Sequence, residues 1–422
     1  MLPPRKVTPH IRYRSNAYVL RVVWGVLFCA SAAALAQPVH QVGTQDVRTG
    51  YDTAEFRTRS QAIETRKGER LPLARLAQRP PLGLPPLSQR FTAAEVDLGR
   101  MLFFDRRLSV NATLSCAMCH IPEQGFTQNE IATPVGNEGR GVRRNAPALY
   151  NVAYVEDLFV DGRERSLVAQ IWSPLLAVNE MANTSRGEVV QRLRGIADYA
   201  ARFQRVYAEG VTETTLGQAL AAYQSVLLSG ASPFDQWYFD GADTLSEPAR
   251  RGFEIFESRG CSGCHRLEAG YALFTDGSFH NTGTGFLRIR RAAQPQRVQL
   301  APGVFVTPDV EVETETFTDD GRAEVSGKAA DQWRYRTPSL RNVALTAPYM
   351  HDGSLATLKD VVQFYDAGGG GDPRQDPRIR PLGLSARERG ALVAFLSALT
   401  GDNVHALAAD ARSVQIGDVE HP

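Results

Sequence analysis

The chain has 422 residues, of which 43% are apolar, and this length can bury the cores of two domains. Its 47 basic and 46 acidic residues leave a formal net charge of +1, which excludes the strongly basic face expected of a nucleic-acid-binding protein. Beyond residue 36, no segment is long and apolar enough to span a bilayer.

Residues 1–36 have the composition of a secretory signal. They start with basic residues, continue with the apolar run VVWGVLFCASAAALA, and end in the small-x-small pattern Ala34-Leu35-Ala36. An uncleaved membrane anchor is the alternative, although the run is short for a bilayer span. Cleavage takes away five of the 47 basic residues and none of the 46 acidic ones, which leaves a net charge of −4. We therefore expect a soluble periplasmic protein with no membrane attachment after cleavage.

The segment that follows the signal is interpreted as a flexible leader, residues 37–80, because it is polar and has no sustained apolar period. The proline-rich stretch RPPLGLPPLSQR then leads into the folded part. Thr92 followed by Glu95 is the capping-box pattern of a helix start. Residues 246–260 look like the same device, placed before the second half of the chain.

Two further helices are predicted from apolar stripes. Residues 216–230 have one such stripe, and residues 384–401 have another, with Ser385 and Glu388 as the capping box. Few stretches alternate at period two, so helices and long loops should dominate the fold. Residues 403–422 are interpreted as a loose tail.

One cysteine motif occurs twice, as SCAMCH at 115–120 and GCSGCH at 260–265. Each copy is C-x-x-C-H, the signature of covalent haem attachment, in which two thiols bond the haem vinyl groups and the histidine ligates the iron. Zinc binding, a redox dithiol and disulfides are the alternatives. The sequence predicts two covalently bound haem c groups, held by Cys116, Cys119, His120, Cys261, Cys264 and His265.

The spacing of the motifs indicates the domain organisation. The two histidines are 145 residues apart, which favours one haem in each of two domains. The predicted fold class is mainly α, with two cytochrome c-type haem domains and long loops, related by duplication. We assign the N-terminal domain to residues 81–245 and the C-terminal domain to residues 246–402.

The residues alone leave the second axial ligand of each iron open. Met118 lies inside the first attachment loop and cannot reach across the ring. The remaining candidates are His40, His280, His351, His405, His421, Met101, Met181 and Met350. Any one of these can equally be an ordinary core or loop residue.

Longer motifs resemble the bacterial dihaem cytochrome c peroxidase family, which includes the MauG-type enzymes. They include LGRMLFFDRRLSVNATLSCAMCHIPEQGFT, RRNAPALYNVAY and RTPSLRNVALTAPYMHDGSLATLKDVVQFYDAGG, and they run in order over about residues 81–401. The resemblance implies an oxidoreductase that acts on hydrogen peroxide. Its electrons would come from a small donor protein, a cytochrome c or a cupredoxin, or from a protein substrate.

The sequence departs from the usual family pattern at three positions. Asn137 stands where most members have a histidine that caps the first haem, so the resemblance implies an iron that is open without prior reduction. Tyr365 stands where most have a methionine ligand of the second haem, as in MauG-type proteins, with Met350 as the competing ligand. Val160 replaces a tryptophan that lies between the haems in relatives, and Trp172 is the nearest other tryptophan in sequence.

The resemblance also implies a peroxide pocket. Gln170, Pro174 and Glu180 match the family's distal residues, with Glu180 as the acid–base, Gln170 as its polar partner and Pro174 as part of the wall. A lone glutamate or glutamine in such a stretch is usually solvated. The match in spacing favours the functional interpretation.

A calcium site is the last implication of the resemblance. Its matching positions are Asn145, with the backbone oxygens of Thr346 and Pro348. Ligands that are all oxygen suit a hard cation. The alternative interpretation of the Asn145 segment is a plain turn.

Together these inferences favour a periplasmic dihaem peroxidase that reduces hydrogen peroxide to water with electrons from an external donor. The first alternative is a MauG-like oxidase that modifies side chains of a partner protein through a high-valent dihaem state. The second is an electron-transfer cytochrome without peroxide chemistry. The open iron inferred from Asn137 argues against the second alternative.

Overall fold

The computed structural model describes residues 70–292, 298–301, 304–306 and 319–414. All of them belong to one compact unit of the chain, Thr53–Pro422. The predicted signal, the leader up to residue 69 and the last part of the predicted tail, 415–422, lie outside the described residues. Of the helices in the described ranges, none is long and apolar enough to cross a membrane.

The described chain is rich in helix, as predicted, and has few strands. Its α-helices, α1 to α14 in chain order, are Leu73–Leu76, Ala93–Phe104, Leu167–Gln170, Trp172–Leu176, Arg186–Gly195, Ala197–Val206, Glu213–Ser225, Pro233–Asp240, Glu247–Ser258, Thr284–Ala292, Ala323–Ser326, Leu358–Asp366, Ala386–Ser397 and Val404–Ala411. Short 3₁₀ turns lie at Arg106–Leu108, Cys116–Met118, Pro122–Gln124, Asn137–Gly139, Val152–Tyr154, Cys261–Gly263, Ala329–Asp331 and Val343–Leu345. The strands β1 to β4 are Phe279–His280, Val298–Ala301, Val304–Val306 and Tyr335–Arg336. They form two antiparallel pairs, β1 with β4 and β2 with β3.

A first hydrophobic core forms around α2 and α7. The predicted capping box starts α2, because the Glu95 amide donates to Thr92 Oγ1 at 3.2 Å and the Thr92 amide donates to Glu95 Oε2 at 2.8 Å. Gly99 lets the two helices approach closely, since a Cβ at this position would collide with the Ala219 carbonyl. The predicted helix at 216–230 starts earlier than expected, because Thr212 caps α7, and it ends at Ser225.

A second core forms around α9 and α13, and it repeats this packing. Gly252 of α9 lies against Ala391 of α13, so closely that a Cβ would collide with the Ala391 carbonyl. The capping box predicted for α13 is confirmed. The one expected before the second haem motif is only half formed. Ser246 caps the Ala249 amide, but alanine at the third helical position has no side chain to return the bond.

Two short helices lie in places that the sequence did not indicate. Helix α8 precedes the predicted boundary at residue 245, yet Phe234 is fully buried in the second core, against Phe253 and Phe395. Helix α14 lies in the segment interpreted as a tail, yet it is buried in the first core. Short apolar segments can pack equally well on either core, so their periodicity does not indicate which core they join.

The N-terminal and C-terminal ends of the described chain meet on the first core. Helix α1 falls within the predicted leader, and the Leu71 amide donates to Asp410 Oδ1 at 2.7 Å. Asp410 also pairs with the buried Arg100 guanidinium at 3.2 Å. Arg412 then makes two bonds of 2.5 Å to the carboxylate of Glu123, which follows the first haem motif.

Candidate active site

The first cysteine motif folds as a tight 3₁₀ turn. The amides of Cys119 and His120 both donate to the Cys116 carbonyl, at 3.2 and 2.9 Å. Nδ1 of His120 lies 3.0 Å from the carbonyl oxygen of Phe126. Because a carbonyl can only accept, Nδ1 carries the proton and Nε2 keeps the lone pair that a metal needs. Burial lowers the pKa of His120, which also favours the neutral ring.

The second motif has the same hydrogen bonds. The amides of Cys264 and His265 donate to the Cys261 carbonyl at 3.2 and 3.0 Å. Nδ1 of His265 lies 2.9 Å from the Phe274 carbonyl, and burial lowers the pKa of this histidine as well. Both histidines are therefore prepared in the tautomer that ligates iron through Nε2.

A second layer of contacts, not predicted from the sequence, supports both rings. Phe126 and Phe274 adopt left-handed backbone conformations, with φ of 55° and 52°. The hydroxyl of the next residue, Thr127 or Thr275, then donates to the carbonyl of Ala146 or Thr337. The signal was present in the sequence as a Phe-Thr pair a few residues after each motif.

The two attachment loops share one cavity of about 980 Å³. Its wall includes the six predicted attachment residues, Cys116, Cys119, His120, Cys261, Cys264 and His265. All four cysteines are free, so the disulfide alternative does not form. Two thiols and one imidazole per loop, facing a common apolar cavity, fit two covalently attached haem groups.

The predicted peroxide-pocket residues lie together on the wall of this cavity. Gln170 is the last residue of α3, Pro174 lies in α4, and Glu180 lies in the loop that follows. Burial raises the pKa of the Glu180 carboxyl, against the smaller opposing effect of Arg163. Glu180 is also close to the first motif, since burial and this carboxylate together raise the pKa of Cys119 to about 11.

Asn137 is buried but lies off the cavity wall as far as the described residues define it. Its side-chain oxygen accepts a hydrogen bond of 3.0 Å from Asn111 Nδ2. Its amide donates to the Glu180 carbonyl at 2.9 Å. Asn137 is thus held by protein groups, and it supports the backbone of Glu180.

Tyr365 and Met350 both line the cavity, but they have different neighbours. Burial and the nearby thiols of Cys261 and Cys264 raise the pKa of Tyr365, which puts this phenol beside the second motif. Met350 has a left-handed φ of 72° in a turn whose Gly353 lies against Ala132 of the N-terminal half. Tyr365 remains the predicted ligand, and Met350 remains the alternative on the same cavity wall.

Of the other ligand candidates, His280, His351 and Met181 line the cavity, and the rest lie elsewhere or outside the described residues. His280 has both ring nitrogens engaged, with Asp276 at 3.0 Å and Asp376 at 2.9 Å. His351 stacks on the ring of Tyr335, with centroids 3.8 Å apart. Met101 packs against the first core, while Met181 is buried on the cavity wall. His405 is exposed on α14, and His40 and His421 are outside the described residues.

Val160 lies on the cavity wall, and Trp172 does not take its place. Trp172 is buried and borders a separate cavity of about 290 Å³. The Arg186 guanidinium lies 5.3 Å from the centre of its ring. Of Val160 and Trp172, only Val160 lies on the wall of the shared cavity, as the described residues define it.

The three predicted calcium positions also come to the cavity wall. The Asn145 side-chain amide donates to the Ala132 carbonyl at 2.8 Å, which leaves its oxygen available. The Asn145 backbone amide donates to the backbone carbonyl of His351, three residues after Pro348, at 2.8 Å. The segments that carry Asn145, Thr346 and Pro348 are therefore neighbours.

The chain is similar to known proteins in sequence and in structure. A family model described as di-haem cytochrome c peroxidase matches residues 93–244. The chain is 36% identical over 345 residues to a cytochrome-c peroxidase, IdrP1, of Denitromonas iodatirespirans. The alignment covers 77% of this chain and 87% of that protein. The chain belongs to the dihaem cytochrome c peroxidase family. It is an oxidoreductase, and its family implies haem c as the cofactor.

Other members of the dihaem peroxidase family include MauG-like proteins. The chain is 34% identical over 320 residues to the methylamine utilization protein MauG of Methylorubrum extorquens, with 75% of this chain and 81% of that protein covered. A crystal structure of a MauG-like protein associated with microbial copper homeostasis superposes with a TM-score of 0.62 at 29% identity. The match covers 79% of this chain and 96% of that one.

Proposed function

We propose that this dihaem enzyme reduces hydrogen peroxide to water in the periplasm, with electrons from an external donor. The observation that carries the proposal is the buried Glu180 carboxyl beside the first attachment loop, while Asn137 is bonded to Asn111. An acid–base group therefore lies next to an iron position that no side chain at position 137 caps. We further propose that the haem domains, 81–245 and 246–402, are related by duplication.

The protein's own contribution is proton handling. When bound, the haem iron at His120 supplies the peroxide-binding site and the electrons for O–O cleavage. Glu180 accepts the proton of the near oxygen and returns it to the leaving oxygen, so that one peroxide, two electrons and two protons give two waters. Burial raises the pKa of Glu180, which favours the protonated form that returns the proton to the leaving oxygen. Gln170 orients the peroxide and Pro174 closes the wall beside it.

The second haem, held by His265, would take Tyr365 as its other ligand. A phenolate is an anionic, hard ligand that stabilises the ferric state relative to a thioether. This haem would receive electrons from the donor, a cytochrome c or cupredoxin, or store an oxidising equivalent. A calcium ion at Asn145, Thr346 and Pro348 would hold the adjoining segments together.

The alternative is a MauG-like oxidase that takes electrons from side chains of a partner protein. The observation that favours it is Tyr365 beside the second motif, together with the 34% identity to MauG. A small reductant that sustains rapid turnover would support the peroxidase. Slow turnover with a covalently altered partner protein would support the oxidase.

The test is an EPR and optical spectrum of the as-isolated ferric protein, before and after hydrogen peroxide. We expect a high-spin signal from the first haem that disappears when peroxide is added without any reductant. If both haems are low-spin and nothing reacts until one electron has been added, the proposal is wrong.

A further inference from the structure

Arg336 lies where the two halves of the molecule meet on the cavity wall. Its backbone amide donates to the Val160 carbonyl at 2.8 Å, which ties β4 to the N-terminal half. Its Nε donates to the Phe159 carbonyl at 3.3 Å and one terminal nitrogen to the Thr337 carbonyl at 3.3 Å. All these acceptors are neutral backbone groups, so they satisfy hydrogen bonds without balancing the charge.

The other buried or paired arginines on this wall have carboxylate partners. The pairs are Arg143 with Glu324, Arg144 with Asp161 and Asp319, Arg163 with Asp161, Arg341 with Asp235, and Arg378 with Asp376. Among the described residues, Arg336 forms no ion pair with a carboxylate. Burial lowers the pKa of Arg336, and the carboxylate that opposes this shift, Asp157, is itself paired with Arg165 at 2.9 Å. Arg336 is half-buried, and an enclosed cation without a counter-ion is costly, so a group that fills the cavity can stabilise it by supplying an anion.

The position of Arg336 in its half identifies the kind of group it faces. The carbonyl that supports each histidine belongs to a residue followed by proline, Ala146-Pro147 in the first half and Thr337-Pro338 in the second. The residue before each of these dipeptides is Asn145 in the first half and Arg336 in the second, so the two occupy equivalent positions. Asn145 offers an oxygen to a cation. Arg336 offers a fork of donors, whose geometry matches a carboxylate.

We propose that the Arg336 guanidinium pairs with a propionate carboxylate of a bound haem and raises the reduction potential of that haem. The inference rests on the haem binding that the proposed function requires, but not on peroxide chemistry. Ferric haem carries one more positive charge than ferrous haem. A fixed cation at the propionate therefore disfavours the ferric state, and it also holds the ring against the junction at Val160.

The test is a redox titration of the intact dihaem protein, without peroxide, followed by optical spectra of both haems. The variants are Arg336→Gln, which removes the charge, and Arg336→Lys, which keeps it. Arg334→Gln is the matched control, because Arg334 is two residues away on the same segment, half-exposed and paired with Asp331. A protein inert to peroxide would still titrate, so failure of the proposed function and failure of this inference are distinguishable.

We expect Arg336→Gln to lower the midpoint potential of one haem more than the other, Arg336→Lys to restore most of the shift, and Arg334→Gln to change neither potential. The haem that shifts more is the one whose propionate is bound, and the distinct spectra of the two haems identify it. Equal potentials in Arg336→Gln and Arg334→Gln would overturn the proposal. If Arg336→Gln does not retain haem, the haem content of Arg336→Lys decides. Retention of both haems in Arg336→Lys would support the charge pair. Loss of haem in Arg336→Lys would mean that Arg336 acts only through its hydrogen bonds to the Phe159 and Thr337 carbonyls, which would overturn the proposal.

Discussion

The two halves of the molecule hold His120 and His265 with equivalent contacts, but they line the rest of the cavity with different side chains. In each half a glycine brings two helices together, Gly99 in the first and Gly252 in the second. Asn151 lies four residues after Pro147, and Asn342 lies four residues after Pro338. Both asparagines adopt left-handed backbone conformations, with φ of 63° and 58°. Both asparagines also bond to Ser229, which joins the two supports.

The differences lie in the side chains that each half adds around this common scaffold. The first half contributes Glu180 and Gln170 to the cavity, and the second contributes Tyr365. A titratable carboxyl suits proton transfer to a small substrate, whereas a phenol suits a permanent iron ligand. We infer that the shared scaffold would position each iron and that the side chains around it would decide its reaction.

The strongest test of this division is Glu180→Gln, which keeps the shape of the side chain and removes its titration. We expect the rate of the reaction with peroxide to fall by about a hundred- to ten-thousand-fold, the usual worth of acid–base catalysis. Stopped-flow mixing, with the Soret band as the signal, measures this rate. Haem content and cyanide binding should stay near the wild type, and Gln170→Ala should lose less. A rate within about threefold of the wild type would remove Glu180 from the mechanism.

The pH profile provides the control for this variant. Glu180 must be deprotonated to accept the first proton, so the rate should fall as pH drops through its pKa. Because burial raises that pKa, the acid limb should lie above the ordinary carboxyl range of about 4.3. Glu180→Gln should abolish the limb. A limb that persists in the variant would belong to another group.

Asn137→His should make the first haem resemble a capped one. The rate at which the ferric protein reacts with peroxide should scale with the fraction of molecules whose first haem iron is uncapped. If the new imidazole caps this iron in all but about one molecule in a hundred, the rate falls by about a hundredfold. Asn137→Ala is the control, because it loses the bond from Asn111 without supplying a ligand. EPR should show the first haem as low-spin only in the histidine variant. An unchanged spectrum and rate would mean that position 137 does not face the iron.

Tyr365→Phe should act on the second haem alone. Loss of an anionic ligand should raise the potential of that haem and change its low-spin EPR signature, while the first haem keeps its spectrum. Met350→Leu serves as the matched variant and should do little. The opposite pattern would make Met350 the ligand and assign the second haem to the ordinary electron-entry design.

Removal of one supporting hydroxyl from each half should have the smallest effect. Thr127→Val and Thr275→Val each lose one hydrogen bond to the segment that carries the proline, worth about 1 kcal/mol of unfolding free energy. Thr127 is more deeply buried, so its loss should cost more. Denaturant unfolding of the holoprotein measures both, with the exposed Thr214→Val as the reference. Equal, negligible costs would mean that the two supports do not contribute to stability.

The haem loops and the main helices could be predicted because their signals are local. C-x-x-C-H and the boxes at Thr92 and Ser385 involve residues that are neighbours in the chain. Arg336 could not be singled out, because its isolation depends on which carboxylates the fold brings near it. Which core α8 or α14 packs in could not be predicted for a similar reason. The apolar pattern of a short segment does not specify the core against which it packs.

Helix α14 and Arg412 have a consequence for the order in which the protein is made. Val404, Leu407 and Ala408 belong to the first core, and Arg412 bonds Glu123 three residues after His120. The N-terminal half therefore completes its core only after Val404–Ala411 has been made. Because synthesis starts at the N-terminus, the first cysteine pair lies in an unfinished core while the rest of the chain is made.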